Sequence, residues 1–199
     1  LGAVEWGYEE DGATLLVHLE KIVQYNVQSS EKEKFDGVML DIEPYISDSW
    51  KENPEEYMDR YISCMKKGYK FAQKNHLRTA ICIPRHYDNQ GLTSGLEELI
   101  KETCDEVAVM NYSCGNEIEA IRTEAALSEK YGKELHCILE FQEVGKHGLT
   151  ENKTYRNKGI DNAKETWEKL QKEYKNINVT RDYHWSRPVR EMLEEKNAD

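Results

Sequence analysis

The sequence predicts a parallel α/β fold of the β/α-barrel kind, and three observations predict it. Apolar strand-like runs alternate with helical stripes along the whole chain. Such alternation at regular spacing means a parallel sheet with crossover helices. One run, Phe35 to Tyr45 (F-D-G-V-M-L-D-I-E-P-Y), ends in two carboxylates, and parallel α/β folds place their chemistry at the C-terminal ends of strands. No G-x-G-x-x-G or G-x-x-x-x-G-K-[ST] follows any strand, which counts against a nucleotide-binding open sheet. Six strand candidates in 199 residues fall short of the ~250 residues of an eight-fold barrel. The expectation is therefore a (β/α)8 TIM-barrel-like fold that is incomplete. About six of eight β/α units are present, the N-terminal strands are missing, and residues 1–199 form one domain.

Taken in order, Leu1 to Tyr8 reads as the tail of a strand. Ala13 to Val27 carries a helical stripe of Leu15, Leu16, Leu19, Ile22 and Val23. Phe35 to Ile42 is a buried strand that Pro44 stops from continuing. A helix opens at Asn53, with Pro54 at its first position and Glu55 and Glu56 in its first turn. Leu77 to Pro84 is the next strand, Leu96 to Cys104 a short helix, and Glu106 to Tyr112 a strand. Glu117 to Tyr131 is a helix capped by Gly132. Leu135 to Phe141 is a strand, and Val144 to Lys158 a loop long enough to be functional. The helix Ile160 to Lys175, the strand Ile177 to Trp185 and the helix Pro188 to Lys196 complete the chain.

The net charge of −11 argues against a nucleic-acid partner, because phosphate binding needs clustered Lys and Arg. No apolar run approaches the ~20 residues that span a bilayer. The five cysteines, Cys64, Cys82, Cys104, Cys114 and Cys137, are odd in number and form no C-x-x-C. They suggest neither a disulfide framework nor a zinc site. No metal site and no cofactor is expected. Residue 1 is Leu rather than Met, so a processed product, a domain or a fragment is expected. Six strands leave two open edges; self-association or a missing N-terminal segment is expected to cover them.

Alternation puts Met39, Asp41 and Glu43 on one face of their strand and Val38, Leu40 and Ile42 on the other. In a pair of neighbouring carboxyls one can stay protonated near neutral pH while the other is ionised. General acid–base chemistry needs that pair.

D-G-V-M-L-D-I-E, Asp36 to Glu43, resembles the D-G-x-D-x-D-x-E strand of chitinase-like family 18 glycoside hydrolases. The resemblance implies that Glu43 is the general acid and that Asp41 orients the acetamido group of the substrate. M-N-Y, Met110 to Tyr112, resembles the M-x-Y-D of that family, whose Tyr assists the same group. Trp185 is similar to the Trp that floors the sugar site. Two positions depart from the pattern: Met39 replaces the middle Asp, and Ser113 the Asp of M-x-Y-D. The proton relay through the middle Asp is absent.

Glu43-Pro44 also resembles the N-E-P end of strand four in the large retaining-glycosidase clan. Leu139-Glu140-Phe141 resembles its T-E-F at strand seven, which implies a nucleophile at Glu140. In such enzymes the two carboxyls stand ~5–5.5 Å apart. D-I-E-P-Y, M-N-Y, L-E-F-Q-E and Y-H-W-S together resemble uncharacterised bacterial glycosidase-like barrels. These resemblances imply a glycoside hydrolase acting on oligo- or polysaccharide, with Glu43, Asp41 and Glu140 catalytic. Tyr112, Trp185, His184, Asn111 and Trp6 are the expected substrate contacts. Strict alternation lets only one of His184 and Trp185 point inward. A secreted or cell-surface location is favoured over a cytoplasmic one. The alternatives are an inactive barrel that binds a glycan or a protein partner, and a barrel hydrolase or lyase of another class.

Overall fold

In the computed structural model, which describes residues 1–198, five strands form a parallel sheet in the order β1-β2-β3-β4-β5. They are β1 (Gly37–Leu40), β2 (Arg78–Pro84), β3 (Glu106–Met110), β4 (Glu134–Glu140) and β5 (Val179–His184). Eight α-helices accompany them among the described residues. The α/β class and the parallel sheet are as the sequence predicts. The chain packs as two compact units: Leu1–Ile83 with Tyr87–Val107, and Pro84–His86 with Ala108 onward. Strand β3 contributes residues to both units.

In the first unit, α1 (Ala13–Gln28) and α3 (Pro54–Lys74) bury Leu15, Leu19, Met58, Tyr61, Ile62 and Met65. Gly68 lets the two helices close up, since a Cβ there would lie 2.5 Å from Leu15 Cδ2. Asn53 precedes α3, Pro54 opens it and Glu55 and Glu56 occupy its first turn, where acids meet the positive end of the helix dipole. A short helix, α2 (Asp48–Glu52), was not legible from apolar spacing. Its signal is Ser47, whose hydroxyl accepts from Trp50 N as an N-cap does. Helix α4 (Thr93–Thr103) begins three residues before the expected Leu96. Val38, Leu40 and Ile42 are buried, whereas Met39 is 41% exposed and Asp41 is exposed. Burial thus alternates as predicted from Val38 to Ile42, although β1 itself ends at Leu40, two residues short of the expected strand.

Leu1 to Tyr8 differs from the expected strand tail. Only Leu1 runs beside β1: its amino group donates to the Met39 carbonyl (2.7 Å) and its carbonyl accepts from Asp41 N (2.6 Å). Val4–Tyr8 then winds into a 3₁₀ turn. The turn is held down by Tyr8, whose hydroxyl donates to the Pro44 carbonyl (3.0 Å), and by buried Gly7, where a Cβ would lie 3.0 Å from Pro44 Cβ. At Gly2 the backbones come closer still, for a Cβ there would fall 1.6 Å from Asp41 O.

In the second unit, β4 and β5 pair in parallel, with His136 opposite Thr180, Ile138 opposite Asp182 and Glu140 opposite His184. The helix expected over 117–131 is interrupted. Helix α5 (Glu117–Ala120) ends at Ile121, whose φ −126° and ψ 19° are not helical, and α6 (Arg122–Tyr131) follows. Burial of the Ile121 side chain accompanies the break. Gly132 caps α6 in the left-handed conformation, as predicted. Helix α7 (Ile160–Glu173) packs Trp167 inward, where its indole donates to the Cys137 carbonyl (3.0 Å). Helix α8 (Ser186–Ala198) closes the described chain. The 144–158 connection is packed rather than loose. Leu149, Thr154 and Tyr155 are buried, and Tyr155 N donates to the Glu140 carbonyl (2.8 Å).

All five cysteines are free thiols, four buried and Cys114 half-buried. Burial pushes Cys64 and Cys137 up to about 12 and Cys114 to about 11. A thiol reacts as its thiolate. Iodoacetamide is therefore expected to label the native protein slowly, Cys114 first, and the other four only on unfolding. Rapid native labelling of all five, followed by mass spectrometry, would contradict this burial.

Candidate functional sites

In the first unit, β1 delivers Asp41 and Glu43 just beyond its last paired residue. Buried Ile42 and Pro44 flank Glu43 and hold its backbone. Glu43 is half-buried and Asp41 exposed. The Tyr45 hydroxyl donates to Glu43 Oε1. Burial, and after it that hydrogen bond and the Glu43 charge, drive the Tyr45 pKa upward, so the hydroxyl stays protonated and donating. Tyr45 stands edge-on to Tyr87 (ring centres 5.9 Å, 84°), and Trp50 lies against the same Tyr87 ring at 5.6 Å. Tyr45, which holds Glu43, thus belongs to a three-ring cluster with Tyr87 and Trp50. Tyr87 is fully buried, and burial raises its pKa as well.

Sequence reasoning gave no role to Tyr45 or Tyr87. The signal for Tyr45 was its place two residues after Glu43, whereas Tyr87 arrives from a different loop. Trp6 occupies the 3₁₀ turn rather than a strand end and stacks on His18 at 4.4 Å. That contact gives it a packing role on α1.

In the second unit the ends of β4 and β5 bring Glu140 and His184 together. Glu140 is only 2% exposed, yet each of its oxygens is met by donors. Oε1 accepts from Phe141 N and Gln142 N, both at 2.7 Å. Oε2 accepts from the Gln142 amide (3.2 Å) and lies 2.9 Å from His184 Nδ1. Burial pushes the carboxyl pKa up, but the His184 and Gln142 hydrogen bonds and the His184 charge outweigh it and hold the pKa below the ordinary value. Glu140 is therefore an ionised acceptor that fixes the proton on His184 Nδ1.

His184, 51% exposed, is presented on this anchor, and Tyr112 lies 6.1 Å away, ring centre to ring centre. The same sheet face carries a second pair. His136 Nδ1 lies 2.8 Å from Asp182 Oδ2, which also accepts from the Thr180 hydroxyl (2.6 Å). Burial raises the Asp182 pKa; the His136 and Thr180 bonds exceed that effect and lower it.

Alternation separates His184 from Trp185. His184 stays on the Glu140 face, while Trp185 turns to a different cavity, beside Phe141 and the first turn of α8. Asn111 is not placed for ligand contact. It is buried, its amide donates to the Glu117 carbonyl (2.9 Å), and its backbone N donates to the Ile138 carbonyl (3.0 Å). In comparisons with protein-family models, curated proteins and solved structures, the chain matches none of them.

Proposed function

We propose that the chain is part of a β/α barrel and carries a glycoside-hydrolase-type carbohydrate site with Glu43 as its general acid. The supporting observation is the setting of Glu43 in the first unit. It leaves the C-terminal end of a parallel strand between buried Ile42 and Pro44 and is held by the hydroxyl of Tyr45, whose ring packs edge-on to buried Tyr87. A carboxyl held at a strand end is what protonating a sugar's leaving oxygen requires. Asp41, two residues earlier and exposed, is the substrate-orienting carboxylate. In the second unit Glu140 acts through His184. Both its oxygens are occupied, so it is the positioning group for the imidazole rather than a nucleophile. Tyr112, beside His184, is the aromatic contact of that unit.

The experiment is product analysis with a panel of oligosaccharides and aryl glycosides, comparing the protein with Glu43→Gln. Hydrolysis that disappears in the variant supports the assignment; hydrolysis at an unchanged rate removes Glu43 from it. A second reading, a glycan-binding protein without hydrolysis, is favoured by Met39. This exposed thioether stands where the chitinase-like pattern has its relay Asp, and it cannot pass a proton. Binding of oligosaccharide without any cleavage across the panel selects that reading.

A further inference from the structure

The C-terminal ends of β4 and β5 open onto a cavity of about 400 Å³ that adjoins the Glu140–His184 pair through Gln142. Its walls include Phe141 and Gln142 after β4, the 3₁₀ turn at Lys146–Gly148, and Trp185 and Arg187 after β5. The Trp185 ring is 50% exposed, an apolar face of the kind on which a sugar ring stacks.

The charged groups around this face are unusual for so acidic a chain. Lys146, Arg156 and Arg187 line the cavity with Glu143 and Glu191, three positive charges against two, in a protein of net −11. Arg156 is committed to structure: it donates to Glu195 (2.8 Å) and to the Pro188 carbonyl (3.5 Å). Arg187 uses only Nε, which donates to Glu191 (2.9 Å). Among the described residues, no hydrogen bond or ion pair joins its terminal NH groups or the Lys146 ammonium to a protein acceptor. A planar guanidinium edge and an ammonium lining one cavity can together hold a carboxylate.

The turn that carries Lys146 is specifically shaped. Gly145, His147 and Gly148 all have positive φ, at 91°, 49° and 72°. His147 is not a glycine, so the turn holds a conformation that costs energy. Leu149, buried beneath it, and the Gly145 N to Leu149 O bond (2.8 Å) pin it in place.

We propose that this cavity binds an acidic sugar, a uronate unit of a glycan, with its ring on Trp185 and its carboxylate on Lys146 and Arg187. The proposal rests on the carbohydrate reading above but not on Glu43 or on hydrolysis. The test uses tryptophan fluorescence and calorimetric titration of the Glu43→Gln protein, so that no substrate is consumed. The probes are a linear uronate trimer and the neutral hexose trimer of the same linkage. The acidic trimer is expected to bind at least ~10-fold more tightly, and added salt should narrow the gap.

Lys146→Gln and Arg187→Gln should each erase most of that preference while neutral binding persists, and Trp185→Ala should weaken both ligands. All three residues are exposed, so the variants are expected to unfold at the parent temperature, which a thermal scan verifies. Equal affinity for the two trimers, binding of neither, or an acidic preference that survives both substitutions overturns the proposal. Hydrolysis of neutral glycans without acidic preference sinks this inference alone. Acidic binding without Glu43-dependent cleavage sinks the hydrolase reading alone.

Discussion

Glu43→Gln is expected to lower kcat on a cleavable glycoside by ~10²–10⁴-fold while oligosaccharide affinity survives. Glutamine keeps the shape of the side chain and can still accept from the Tyr45 hydroxyl, but it cannot deliver a proton to a leaving oxygen. Tyr45→Phe is the informative companion. It removes one donor from Glu43 without touching the proton Glu43 transfers, so the loss should be on the order of tenfold, the value of one hydrogen bond. Asp41→Asn distinguishes the two glycosidase mechanisms. A severe loss points to substrate-assisted cleavage, in which a carboxylate must orient the acetamido group. A mild loss, with Glu43 still essential, points elsewhere. Tyr45→Phe falling as deeply as Glu43→Gln would place the proton donor on the tyrosine and refute the assignment.

Glu140→Ala is expected to destabilise the protein by roughly 2–4 kcal/mol. The truncation strands two peptide N–H groups, those of Phe141 and Gln142, together with the Gln142 amide and the His184 imidazole. The ~3–5 kcal/mol typical of breaking a fully buried pair is reduced here because His184 is half exposed and water can replace part of its partner. At about 2–4 °C per kcal/mol for a chain of this size, Tm should fall by on the order of 10 °C. Glu140→Gln retains the acceptor for the two peptide N–H groups and should cost less than half as much.

The pH dependence follows from the lowered pKa of Glu140 in the fold. Its stabilisation is complete above the ~4.3 of an unfolded glutamate, and it disappears as pH falls through the lower folded value. Asp182, also lowered, acts in the same direction. In Glu140→Ala the acid side of the stability curve should be flatter than in the parent. Urea titrations between pH 2 and 6, as an approximate window, test this, and parallel acid limbs in the two proteins would rule it out.

Periodicity located most of the fold. Leu15 and Leu19 announced α1, Pro54 and its acids announced α3, and the apolar runs announced all five strands. The misses share a cause: backbone geometry set by distant contacts. The 3₁₀ turn at Val4–Tyr8 depends on Pro44, and the break at Ile121 accompanies burial of that side chain. Neither partner lies within a helical or strand repeat. The candidate site was legible where chemistry follows strand position. Glu140 and His184 end their strands, and Asp41 and Glu43 follow β1 within three residues. Roles were less legible, because they depend on partners. Nothing in L-E-F-Q-E says that both oxygens of Glu140 are consumed by its own successors and by a histidine 44 residues away. The Trp185 cavity drew its cations from a loop and from the first turn of a helix, which no spacing rule links.

The bracket that Leu1 and Gly2 form along β1 bears on which changes the chain tolerates. It is made by main-chain atoms, and the Leu1 side chain is about half exposed. Hydropathy would rank Leu1 as the residue to preserve and Gly2 as replaceable, but the structure reverses that order. A polar residue at position 1 keeps both hydrogen bonds. Any side chain at position 2 starts inside the Asp41 carbonyl and must push apart the strand end from which Asp41 and Glu43 emerge. Variation at the least conspicuous residue of the segment would thus register as lost carboxylate alignment rather than as lost packing.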